Sequence, residues 1–175
     1  MSNYEDHFHH TTLALKHNKY AMVEKPLAMS LQDADAILAA EQNSTGKVFV
    51  GYIRRYSPAF LTLDEIGGMD SIHYDSGLSD VPDFDAHIQV YSANKIVRVK
   101  YEWAYIKGAQ TTMRIVESSD DTYREPFIRH TQEDEYTLEL KEFYRAVTTG
   151  KPIKTSAQDA RMDLDIFMQG QKTFQ

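Results

Sequence analysis

The 175-residue sequence contains no cysteine, five prolines, eight glycines and one tryptophan. The missing cysteine excludes disulfides, thiolate nucleophiles, iron–sulfur clusters and cysteine-based zinc sites. No two of the eight glycines are separated by a single residue, so no Gly-x-Gly phosphate turn exists in the sequence. Positive charge is scarce: 26 acidic residues against 19 basic ones give a formal charge of −7. That balance argues against a protein held on nucleic acid by charge, which needs clustered Lys and Arg. No run approaches the roughly 18 apolar residues of a membrane span, so no membrane partner is expected. The first residues, Met1 to His7, are acidic and lack the basic and apolar regions of a secretion signal. The expectation is a cytoplasmic protein.

What is present is ordinary globular material, 42% hydrophobic and 26% charged. The apolar run Leu13-Ala14-Leu15 ends a helix that begins near His7. Tyr20 to Val23 and Lys47 to Tyr52 read as short buried strands. Between them Ser30-Leu31-Gln32-Asp33 is a capping box opening a helix that carries Leu31, Ala34, Ile37 and Leu38, with Gly46 as its stop. Strand, helix, strand makes a βαβ unit and hence parallel pairing. Pro58 starts a further short helix closed by Gly67-Gly68.

From about residue 71 the period changes. Phe84, Ala86, Ile88 and Val90 alternate with Asp85, His87 and Gln89. After a turn at Ser92 to Lys95, Val97, Val99, Tyr101 and Trp103 alternate with Arg98, Lys100 and Glu102. Thr111, Met113 and Ile115 continue the theme. Three such strands predict an antiparallel meander with one face on a core. Ser118 to Gln132 reads as loop. A helix over 133–149 is expected to turn Tyr136, Leu140, Phe143, Tyr144 and Val147 inward and to stop at Gly150. A second box, Ser156-Ala157-Gln158-Asp159, opens the last helix.

Glu24-Lys25-Pro26 follows the first strand directly. This places a lysine and a carboxylate at the carboxyl end of a parallel strand, where open α/β sheets bind ligands. A lysine there can hold a hydroxyl or relay a proton; the plainer reading is a solvated Glu–Lys pair. His7, His9 and His10 offer imidazoles for zinc or nickel, or simply a polar helix start with one histidine turned inward. Asp83 and His87 have an Asp-x-x-x-His spacing, yet His87 sits on an alternating strand and reads as its solvent side.

The blocks Lys19-Tyr20-Ala21-Met22-Val23-Glu24-Lys25-Pro26-Leu27-Ala28-Met29-Ser30 and Val50-Gly51-Tyr52-Ile53-Arg54-Arg55-Tyr56-Ser57-Pro58, with Leu138-Glu139-Leu140, Gly150-Lys151-Pro152 and Ser156-Ala157-Gln158-Asp159, resemble in order and spacing the Gfo/Idh/MocA family (glucose–fructose oxidoreductase, inositol dehydrogenase, rhizopine catabolism). The resemblance implies an NAD- or NADP-dependent oxidoreductase acting on sugar or polyol hydroxyls. It implies that Lys25 is the catalytic lysine and that His7, Glu24, Lys25, Pro26, Arg54 and Arg55 lie at the cofactor. It also implies a homodimer, or a dimer with a full-length relative, built on the open sheet.

The expected fold is α/β: the remnant of a Rossmann-type parallel sheet over 1–70, then an α+β part over 71–175 with an antiparallel sheet and two terminal helices. Two family features are missing, the Gly-x-Gly-x-x-Gly loop for the diphosphate and the Asp-x-Gly-x-His motif that supplies a base. The expectation is therefore a family member shortened at its front and in its middle, weak or inactive alone. A non-catalytic binding or dimerisation module derived from that family is the alternative.

Overall fold

The computed structural model describes residues 3–63, 71–75, 86–101, 111–129 and 134–173. It has five α-helices and eight strands among these residues. By its contacts the chain forms two compact units, one of Met1–Tyr52 with Glu139–Gln175 and one of Ile53–Leu138. This grouping follows different lines from a division at 70/71, because the terminal helices pack with the parallel strands.

In the first unit, helix α1 (His7–Lys16) leads to strand β1 (Ala21–Glu24), helix α2 (Leu31–Gln42) and strand β2 (Val48–Gly51). β1 and β2 are parallel, with Ala21 opposite Val48 and Glu24 opposite Gly51. α2 opens as its sequence demands: the Ser30 hydroxyl oxygen accepts from the Asp33 backbone N–H at 3.0 Å. Asp33 reaches back to that hydroxyl at 2.8 Å rather than to the Ser30 backbone. Gly46 does not stop the helix, which ends at Gln42 with Asn43 as its cap. Glycine is required at 46 because a Cβ there would lie 2.2 Å from the Lys19 carbonyl oxygen.

The core of this unit joins Leu15, Val23, Ile37, Val48 and Val50 to Ala157, Ala160 and Leu164 of the last helix, α5 (Ala157–Thr173). The Thr155 carbonyl accepts from the Val50 N–H at 2.8 Å, which ties the entry of α5 to β2. As expected from its second box, the Ser156 hydroxyl accepts from the Asp159 N–H at 3.2 Å. Arg161 of α5 pairs with Asp35 of α2 at 2.8 Å, and that partnership holds the Asp35 carboxyl below its ordinary pKa.

The second unit begins with a 3-10 turn (Ile53–Tyr56) and α3 (Pro58–Leu63). Its antiparallel sheet runs β3 (Ser71–Asp75), β4 (Ala86–Ser92), β5 (Lys95–Tyr101), β6 (Thr112–Ser119) and β7 (Thr122–Arg124), with β8 (Phe127–Arg129) also on β6. The β4–β5 hairpin turns through Ala93 and Asn94 with Ser92 opposite Lys95. Val97, Val99 and Met113 form the buried face with Ala59 of α3.

Part of the stretch expected as loop from Ser118 to Gln132 is instead β7 and β8. β7 side chains are exposed throughout, so its pairing rests on backbone bonds and leaves no apolar alternation to read. Asp120 takes the left-handed conformation at φ 49° in the tight β6–β7 turn, as a short polar residue can. Gly67-Gly68, Asp83 to Asp85 and Trp103 lie outside the described residues.

Helix α4 (Glu135–Thr149) corrects another expectation. Its buried residues are Glu139 and Ala146, with Phe143 edge-on to Phe49 at 5.4 Å between ring centroids. Tyr136, Leu140, Tyr144 and Val147 face solvent, Tyr144 at 71% exposure. The helix buries the stripe one residue before its most apolar one. Gly150 does stop it, at φ 68°.

Candidate functional site

The parallel strands end side by side, and their carboxyl ends carry Glu24 and Gly51. The Lys25–Pro26 peptide that follows β1 is cis. Helix α1 comes to this segment through His7, which is 5% exposed. Its Nδ1 lies 2.8 Å from the Pro26 carbonyl oxygen. A carbonyl only accepts, so Nδ1 carries the hydrogen and donates it to Pro26. Tyr4 packs edge-on against the same ring at 5.7 Å. His7 is therefore the inward histidine of the helix start, while His9 and His10 are exposed. Among the described residues no group of three or more His, Asp or Glu side chains is arranged to hold a metal.

Lys25 is exposed and lines an open groove of about 390 Å³. Pro26, Leu27, Ala28 and Met29 form one wall with Tyr52, and Ala160, Leu164, Phe167 and Met168 of α5 form the other. Lys25 and Asp163 are its charged members. An apolar trough with a lysine beside it suits a ligand with a flat or aliphatic face and one polar group.

Glu24 lies over Gly51. A Cβ at position 51 would stand 3.2 Å from Glu24 Oε2, so glycine there makes room for the carboxylate. Glu139 of α4, which sequence reasoning missed as a site residue, is only 2% exposed. Burial pushes its pKa up to about 7, and the neighbouring Glu24 charge adds to the shift. The signal was available: Glu139, Phe143 and Ala146 share a helical stripe.

Arg54 and Arg55 belong to the second unit, in the turn after β2. The Arg54 guanidinium is paired with Glu135 at 3.0 Å, and the Thr111 hydroxyl donates to the same carboxylate at 2.5 Å. Tyr56 beside them is buried. His87, on β4, places Nδ1 3.3 Å from Arg98 across the β4–β5 pair.

Comparison with known proteins fits this geometry. Residues 1–52 match the model of the oxidoreductase family with an NAD-binding Rossmann fold, Gfo/Idh/MocA. Inositol 2-dehydrogenase of Salmonella typhimurium (strain LT2) is 32% identical over 97 residues, which are 50% of this chain and 28% of that enzyme. The chain thus matches little more than a quarter of its curated relative. Among solved structures, UDP-N-acetylglucosamine 3-dehydrogenase from Acidithiobacillus ferrooxidans superposes with a TM-score of 0.79 at 14% identity, over 97% of this chain and 75% of that one. KijD10, a 3-ketoreductase from Actinomadura kijaniata solved with NADP and TDP-benzene, gives a TM-score of 0.70 at 12% identity, over 89% and 71%. Those low identities speak to the fold, and the fold is the same α/β arrangement of parallel strands, antiparallel sheet and terminal helices. Residues 1–52 are thus similar to the NAD-binding Rossmann part of the Gfo/Idh/MocA oxidoreductase family, and the described residues share the fold of the solved structures above.

Proposed function

We propose that this chain carries the lysine end of a cytosolic NAD(P)-dependent oxidoreductase site for sugar or polyol hydroxyls. The observation that carries the reading is the position of Lys25, at the carboxyl end of a parallel strand and on the edge of an apolar groove. When bound, a nicotinamide supplies the hydride acceptor or donor. The ammonium of Lys25 donates a hydrogen bond to the hydroxyl oxygen and stabilises negative charge as it develops there. His7 holds the Lys25-Pro26 segment through the Pro26 carbonyl, so it acts as a positioning residue.

The diphosphate of such a cofactor fits less well. The N-terminus of α2 is closed by the Ser30 hydroxyl and the Asp33 carboxylate. α1 is preceded by the acidic residues Glu5 and Asp6. Both helix starts thus set negative charge against an anion, and the sequence has no Gly-x-Gly turn to cradle one. The reading is therefore a chain that binds cofactor weakly and turns over little by itself.

A fluorescence titration with NADH and NADPH tests it. The expected result is weak saturable binding that falls about tenfold or more in Lys25→Ala, because the family resemblance also puts this lysine at the cofactor, where it would supply one charge-assisted hydrogen bond. A wild-type chain that melts cooperatively and binds neither nucleotide overturns the reading. The second reading, a binding or dimerisation module, is favoured by one observation: Leu140, Tyr144 and Ile166 are 55%, 71% and 69% exposed. Light scattering of the wild-type chain that shows a monomer at all concentrations counts against homodimerisation.

A further inference from the structure

The groove beside Lys25 has a lining and a charge that hydride transfer leaves unexplained. Leu27, Ala28, Ala160 and Leu164 line it and are all buried, so they form its floor. Met29 and Phe167 stand at its edges, 54% and 60% exposed, two large apolar side chains left in water. The hydrophobic core of this unit closes without either of them. Two groups of the lining carry charge, and only one is committed. Asp163 already interacts with another group of the chain. Lys25 is exposed and makes no hydrogen bond or ion pair among the described residues. The volume, about 390 Å³, lies within the range of small-ligand pockets, roughly 300 to 1,000 Å³.

We propose that this groove binds a free aliphatic monocarboxylate, its chain along the buried floor and its carboxylate accepting a hydrogen bond from the Lys25 ammonium. Tyr52 supplies the one neutral polar side chain of the lining. A polyol lying in the groove would leave most of its hydroxyls unmatched, so this ligand is distinct from the hydroxyl substrate proposed above. Met29 and Met168 are unbranched and can repack around the chain of the ligand. One uncommitted ammonium offsets one negative charge. A diphosphate or an anionic membrane would set further charge against Asp163 and against a chain of net charge −7. The proposal goes beyond the oxidoreductase reading and shares only Lys25 with it.

Carbon NMR of the methionine methyls in the full chain, titrated with decanoate below its micelle threshold, tests the site. The signals of Met29 and Met168, assigned by Met29→Leu and Met168→Leu, are expected to shift saturably. Met162, exposed on α5 outside the groove, and Met113, in the core of the other unit, should stay in place. Shifts at Met162 as large as those at Met29 would mean coating of exposed apolar surface and overturn the proposal, as would no shift at all. Affinity should rise by up to about fourfold per methylene from hexanoate to decanoate, and a flat series is equally fatal.

The head group is tested by decanol. Decanoate should bind about fivefold more tightly than the alcohol, and Lys25→Gln should bind the two alike. Equal binding by the wild type, or a preference that survives Lys25→Gln, overturns the proposal. NADH titrated into the same chain separates the two readings. A chain that takes decanoate and no NADH keeps the groove site and overturns the oxidoreductase reading. One that takes NADH while decanoate leaves Met29 and Met168 unmoved does the reverse.

Discussion

The stability of this molecule should vary with pH through one residue more than any other described. Glu139 holds its proton up to about 7 in the folded chain against an ordinary value of 4.5. Below 4.5 the folded and unfolded chains both carry the proton, and its contribution is fully present. Above that the unfolded chain loses the proton first, so stability falls as pH rises and the loss is complete above about 7. The full span amounts to as much as about 3 kcal/mol. Glu139→Gln is neutral at every pH and should flatten this slope, so that the variant is more stable than the wild type at about pH 8 and similar to it at about pH 5. Urea unfolding at the two values checks it. A wild-type slope that survives the substitution would show that some other group carries the proton. The same residue marks a limit of sequence reading. Glu139 looks like surface when residues are ranked by polarity, and only the positions of Phe143 and Ala146 on its stripe reveal that it is buried.

Elements were legible where local chemistry sets them and less so where tertiary partners do. Ser30 and Ser156 cap helices from within four residues, so both boxes were visible as strings of letters. Ser30→Ala removes the oxygen that accepts from the Asp33 N–H and should cost about 1 kcal/mol. Thermal melting monitored by circular dichroism reads that loss, and an unchanged midpoint would mean that the cap contributes nothing net. The short strands β7 and β8 gave no such signal, since β7 is exposed throughout and β8 turns only Ile128 toward the core, too little for a period to show. α4 misled for a different reason. Apolar periodicity identifies the greasiest stripe, while burial follows whichever stripe meets a neighbour, here Phe143 on Phe49. The place of Glu24-Lys25-Pro26 at the end of β1 was legible because a βαβ unit fixes which way its strands run, whatever packs around them.

At the scale of the whole molecule, chain order and packing part company. The sequence divides naturally where its period changes from helical to alternating, near residue 71, and that change is real: the antiparallel strands begin there. What order alone does not reveal is that the chain returns after the sheet. Ala157, Ala160 and Leu164 fill the same core as Leu15 and Ile37, more than a hundred residues earlier. No local feature of α5 marks its partner; complementary shape against α2 and β2 selects it. Each core should then answer to its own residues. Ile37 is fully buried in the first unit and Met113 in the second. Either truncation to alanine should cost about 2 to 5 kcal/mol of local stability. Hydrogen exchange resolves where the loss falls. Ile37→Ala should lower protection in α1, α2, β1, β2 and α5 more than in β4 to β6, and Met113→Ala should do the reverse. An equal loss everywhere in both variants would show instead that the chain unfolds as one cooperative body, and that its two cores share a single transition.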